Sequence, residues 1–125
     1  MKGSKEIVDG IVFKDEDDPR ETVIFNFHTW VEMLKGIIIK YAHKSEDEAE
    51  SLVLSSSLVC KPIRNYMAVC LRSHELEYHW AMLIAYGEQY WLKDIERKQP
   101  AGYLEWEAQY SKANKLAEES FVFSD

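Results

Sequence analysis

The stretch DPRETVIFNFHTWVEMLKGIIIKYAH, residues 18–43, decides the fold class. Val23, Phe27, Trp30, Val31, Leu34, Ile37, Ile38 and Tyr41 recur at intervals of three or four, the period of an amphipathic helix. Asp18 can cap such a helix, with Pro19 at its first position. The preceding acids would sit at the positive end of its dipole, and Lys40, His43 and Lys44 at the negative end. The β-branched run in GIIIK lowers local helix propensity, but burial outweighs a preference of that size. The pattern predicts a helix over 19–43.

Outward from it, the same period recurs. Ser45 with Glu48 forms a capping box before a second helix lined by Leu52, Val53, Ser56, Leu58 and Val59 and ended by Pro62. Residues 62–87 read as one long helix or as two, broken near Ser73. Ile63, Tyr66, Met67, Cys70 and Leu71 give the first half its face; Tyr78, Ala81, Met82 and Ala85 give the second half one. Trp80, Leu83 and Ile84 make that second half apolar nearly all round, which suits the centre of a fold, and Gly87 can stop it. A short helix ending at Pro100 follows. A last amphipathic helix carries Tyr103, Trp106, Tyr110, Ala113 and Ala117 on one side, and the tail FVFSD is placed to fold back. Within residues 1–14, Asp9-Gly10 between Ile7-Val8 and Ile11-Val12-Phe13 signals a tight hairpin; otherwise this segment is a flexible arm. The expectation is an all-α, single-domain antiparallel bundle of five or six helices over 1–125, with a short N-terminal β-hairpin as its only extended element.

The 125 residues carry 46% apolar and 30% charged side chains, the composition of a folded domain. A chain of this length buries roughly two-thirds of its unfolded surface and needs no metal or disulfide staple. The net charge of −7 argues against nucleic acid and anionic membrane as partners and favours a basic protein. No apolar run approaches a membrane span, and the N-terminus lacks the apolar core of a signal peptide. Cys60 and Cys70, if on one helix, would stand about 15 Å apart, too far to bridge. Small, partly buried thiols in a reducing cytoplasm are the simple account.

The stretch SHELEYHW, residues 73–80, is the nearest thing to a chemical motif. A zincin helix needs two histidines at i and i+4. Here they are five apart, which turns the rings about 140° away from each other on a helix. The Glu-x-x-His spacing of di-iron bundles is not met either. What remains is a Glu75–His79 pair at i, i+4, a common hydrogen-bonding pair on a helix. A metal role for His74, Glu75 and His79, completed by His28 or His43, stands as the alternative. Phosphate-cradling glycine loops and nucleophile elbows are absent, so no catalytic residue, no metal and no cofactor is assigned.

Two acidic runs are the candidate binding residues: Asp15, Glu16, Asp17 and Asp18, then Glu46, Asp47, Glu48 and Glu50. The first lacks the alternation and the glycine of a calcium loop. Both suit helix N-termini, and a capping role with a solvated face accounts for them without a partner. The functional reading is a negative surface that steers a basic protein. If the first two helices are antiparallel, the runs make two patches. The rings of Tyr86, Tyr90, Trp91, Tyr103 and Trp106 are core by default, and interface anchors if exposed beside the acids.

In size, in acidity and in the stretch YHWAMLIAYGEQYW, residues 78–91, the chain resembles the small helical immunity proteins of bacterial polymorphic-toxin and contact-dependent inhibition systems. The resemblance implies a cytoplasmic protein that binds one cognate toxin domain, frequently a basic nuclease, and neutralises it without enzyme chemistry. Two other classes remain open: a small helical metal protein or enzyme built on His74, Glu75 and His79, and a homodimeric structural or regulatory protein that pairs through the apolar helix at 78–86.

Overall fold

The computed structural model describes residues 7–87, 90–93 and 99–124, apart from the side chains of Trp91 and Lys93. In chain order the elements are β1 (Ile11–Lys14), β2 (Thr22–Phe25), α1 (Phe27–Tyr41), α2 (Glu46–Ser55), α3 (Ser57–Cys60), α4 (Tyr66–Ser73), α5 (Glu77–Tyr86), a 3-10 turn (Tyr90–Lys93), α6 (Tyr103–Ala113) and β3 (Phe121–Ser124). The all-α expectation is overturned. Among the described residues six helices pack with a three-stranded antiparallel sheet of order β1-β2-β3.

The correction lies in residues 18–26. Thr22-Val23-Ile24-Phe25 is β-branched and aromatic, and it alternates: Val23 and Phe25 are fully buried, Thr22 and Ile24 less so. That is the period of a half-buried strand. Asp18 and Pro19 cap no helix; they lie in the loop that joins β1 to β2. Asp15 accepts from the Asp17 amide, and Asp18 from the Arg20 amide, so local carboxylate bonds hold the turn. The hairpin at Asp9-Gly10 does not form either. β1 pairs with β2, Phe13 opposite Val23 and Ile11 opposite Phe25. Residues 1–6, the rest of that proposed arm, lie outside the described residues. The tail joins the same sheet: Phe121 stands opposite Phe25, and Phe123 opposite Val23. Strand alternation then puts Val12, Ile24 and Val122 in one row on the other face of the sheet.

Asp9 takes a different part. Asn26, the N-cap residue of α1, makes no side-chain cap bond. The Asp9 carboxylate accepts instead from the Thr29 amide and hydroxyl, each at 2.8 Å, while the Val8 carbonyl accepts from the His28 amide. The Thr29 hydroxyl in turn accepts from the Ala117 amide. Asn26 accepts from the Gly10 amide and donates to the Glu119 carbonyl. The start of α1 is thus capped by the segment before β1 and tied to the segment before β3. Asp9→Ala should cost about 0.5–2 kcal/mol, as loss of a helix cap does. Urea unfolding will measure it, and an unchanged midpoint would show that other groups satisfy these amides.

α1 is the central helix, packed against α5, α2 and α6. Trp30, Leu34, Ile37 and Ile38 are fully buried. The central place expected for residues 78–86 therefore goes to α1. In α5 Tyr78, Ala81 and Met82 are buried, whereas Trp80, Leu83 and Ile84 are half-buried at its flanks. α6 comes close to α1 at Gly36, where the Tyr110 ring lies over the helix backbone and its hydroxyl donates to the Glu32 carbonyl at 3.3 Å. The Ser45–Glu48 capping box forms. The second helix is two pieces, because Ser56 takes an extended conformation between α2 and α3. α4 and α5 are separate, and Gly87 ends α5 at φ 92°.

Candidate protein-binding face

The two acidic runs are spent differently. In the hairpin loop Asp18 bonds the Arg20 guanidinium at 3.0 and 3.2 Å, and this donor beside it lowers its carboxyl pKa. Asp15, Glu16 and Asp17 make no ion pair among the described residues. In α2, Glu48 closes the capping box, and Glu50 lies 3.6 Å from Lys35, which also holds Glu32 at 2.9 Å. Glu46 and Asp47 are exposed in the first turn.

The hairpin acids have aromatic and apolar company. The Tyr66 hydroxyl, at the start of α4, has its pKa raised by desolvation, by a hydrogen-bonding Cys70, and by the charges of Glu21 and Asp15. Of the hairpin acids, Glu21 and Asp15 thus act on Tyr66. The Tyr66 ring meets Phe123 of β3 edge-on at 6.4 Å between centroids. Phe123 is 45% exposed, and Met67 and Leu71, one turn apart on α4, are 66% and 58% exposed. Side chains of that size left in water on one short helix are what a partner would bury. The helix itself is held firmly. Asn65 caps it by accepting from the Ala68 amide, and Val69 is fully buried. The Arg72 guanidinium donates to the Leu58 carbonyl through two nitrogens and to the Ala68 carbonyl at 2.7 Å. Trp80 donates its indole N–H to the Arg72 carbonyl, also at 2.7 Å. A rigid element with exposed apolar tips loses little side-chain freedom on binding beyond the tips themselves.

Met67 and Leu71 were expected on the core face of this helix. Val69, absent from that stripe, is the residue that points inward, because α4 is only two turns long and rests on the sheet. The aromatic group that is core by default is not exposed beside the acids. Tyr90 and Tyr103 are buried, and Tyr86 and Trp106 are half-buried. The side chain of Trp91 lies outside the described residues. The ring that does lie beside the acids, Tyr66, was legible only as part of a helix stripe. Phe123 was legible only as tail.

Chain and geometry separate the histidines. His74 is the C-cap of α4 and is exposed, while His79 lies inside α5 with Nδ1 3.0 Å from the Tyr90 hydroxyl. Glu75 precedes α5, which starts at Glu77, so Glu75 and His79 do not form the expected pair within one helix. His28 and His43 are exposed on or beside α1. No group of three or more His, Cys, Asp or Glu side chains among the described residues is placed to hold a metal ion. Cys60 and Cys70 stand on different helices, α3 and α4, and form no disulfide.

Compared with protein-family models, curated proteins and solved structures, the chain finds no match. No helix among the described residues is long and apolar enough to cross a membrane.

Proposed function

We propose that this protein binds and neutralises a basic protein, in the manner of an immunity protein holding its cognate toxin domain, and that the face formed by the β1–β2 loop and α4 is where it binds. One observation carries the reading: Glu21 and Asp15, which make no ion pair among the described residues, act on Tyr66, whose ring meets Phe123 and whose helix leaves Met67 and Leu71 exposed. Acids at a rim speed encounter with a cationic partner, and buried apolar and aromatic tips slow its escape. The net charge of −7 acts in the same direction over longer range. The cytoplasm is the proposed compartment, and a basic nuclease domain the proposed partner class. The α2 acids Glu46 and Asp47 would add a second, weaker steering patch, since their neighbour Glu50 pairs with Lys35 and no exposed ring among the described residues is shown beside them.

Two variants separate steering from docking. Reversing Asp15, Glu16 and Asp17 to lysine should slow association with the partner by about tenfold at low salt and leave dissociation nearly unchanged. Half-molar salt should reproduce the effect in the native protein. Tyr66→Ala should instead speed dissociation. The partner is to be captured from the native host with the tagged chain, and it must be basic and lose its activity in the complex. Capture of an acidic or unaffected protein, or an association rate indifferent to the triple reversal, would sink the proposal. Self-association in sedimentation that Met67→Asp abolishes would give this face to a homodimer instead.

A further inference from the structure

A cleft of about 720 Å³ lies between α1, α6, the start of α5 and the segment leading into β3, away from the loop–α4 face. That volume is in the range of small-ligand sites. Its polar groups come from elements far apart in the chain. Glu77, in the first turn of α5, accepts from the buried Ser120 hydroxyl at 2.9 Å. Glu107 of α6 accepts from the fully buried Tyr103 hydroxyl at 3.0 Å. Each carboxylate is half-buried, and each has its second oxygen without a hydrogen-bond donor among the described residues. Burial raises the Glu107 carboxyl pKa, the Tyr103 bond opposes the rise, and the neighbouring Glu77 charge adds to it. Two carboxylates that repel each other in a partly dry cleft are relieved by a cation between them. Among the described residues that line the cleft Lys112 is the only basic one, and it forms no ion pair with another described residue. Met33 and Phe121 give the cleft an apolar wall.

We infer that this cleft binds an ammonium or guanidinium group carried on an apolar stem, with Glu77 and Glu107 taking the charge and Met33 and Phe121 lying along the stem. A bare divalent ion suits it poorly: Glu118 and Glu119 also line the cleft, but among the described residues no three carboxylates are placed to hold one ion, and Met33 and Phe121 set carbon against Glu77 and Glu107. A flat guanidinium or an ammonium needs only carboxylate oxygens on one side and tolerates carbon on the other.

The test is calorimetric titration of the full chain at pH 7.5 and low salt with two probes, an arginine blocked at both ends and putrescine. One saturable site is expected for at least one of them. Glu77→Gln and Glu107→Gln should each weaken it by about tenfold or more, and Glu75→Gln, an exposed acid outside the cleft, should not. Glutamine can still accept from Tyr103 and Ser120, so both variants should fold. If either does not, the amide resonances of the native protein decide, because Ser111, Ala117 and Ser120 must shift on binding. Tighter binding of the blocked arginine assigns the site to a side chain of a protein partner, and tighter binding of putrescine to a free amine. The absence of saturable binding for both probes, resonance shifts elsewhere, or an equal loss in Glu75→Gln would overturn the inference. None of these outcomes depends on the loop–α4 face, so the site stands or falls independently of the proposed inhibitor function.

Discussion

Phe25→Ala should lower the unfolding free energy by about 3–5 kcal/mol, the cost of removing a large ring from a packed interior. Phe25 is fully buried on the central strand. It stacks on Phe27 at 5.1 Å and on Phe121 at 5.1 Å with planes 7° apart, and meets Trp30 edge-on at 5.7 Å. Trp30 meets Phe121 at 6.2 Å as well, so four rings from β2, α1 and β3 make one block. Its loss takes away the filling between sheet and central helix together, and the chain can collapse into the void only by moving one against the other. A domain with a total stability of about 5–15 kcal/mol would be left near its limit. Phe123→Ala is the control, on the same sheet face but nearly half exposed, and should cost much less. Denaturant titration of both variants gives the answer. Equal, small losses would mean that the ring block is not where sheet and helices are joined.

Gly36→Ala is the second large effect, and its sign runs against intuition. On an isolated helix alanine is better than glycine by about 1 kcal/mol. Here a Cβ would fall 2.7 Å from Tyr110 Cε2 and closer still to Cζ. The contact is with a ring that is stacked on Trp106 at 5.0 Å and bonded to the Glu32 carbonyl, so it has little room to yield. Overpacking of this kind costs about 1–3 kcal/mol. The net expectation is a loss, with α6 pushed off α1. Tyr110→Ala in the same chain should remove the clash and let the helix preference show. In the double variant the Gly36→Ala step should therefore turn neutral or stabilising, a coupling of about 1–3 kcal/mol in the double-mutant cycle. A stabilising Gly36→Ala in the native background would show that Tyr110 is not held over Gly36.

Much of the helical part could be read in the chain. Leu34, Ile37, Ile38 and Tyr41 carry a helix whose C-terminal half lies where their spacing puts it, and Ser45–Glu48 announces the next. The strands could not be read the same way. Val23 and Phe27 fit a helical stripe by spacing, and that fit concealed Phe25, which belongs to no helical face and turns out fully buried. The alternation of Val23 and Phe25 was the competing signal, four residues long beside a helical pattern five times that length, so the longer period prevailed. Pro19 misled too, since proline after an aspartate serves a hairpin loop as well as a helix start. β3 was beyond reach for another reason. Its four residues gain their strand character from β2, whose paired positions are remote in the chain. The binding face shows the same division. Its acids were evident as a run, but Tyr66 and Phe123 beside them depend on that remote pairing. Met67 and Leu71 read as core because a two-turn helix offers too few residues to tell one face from its neighbour.

The central strand has one partner just before it in sequence and one whose side chains are 102 residues away, as at Thr22 and Ser124. The first pairing closes a short loop and can form early. The second closes a far longer loop and is expected to form later, once helix packing has brought the two ends of the described chain together. Through that interval β2 shows an unpaired edge and the Phe25 ring has no Phe121 above it. This is the period when one chain can accept the strand of another, so crowded, fast synthesis should favour aggregates joined at β2, and slow refolding from dilute solution should avoid them.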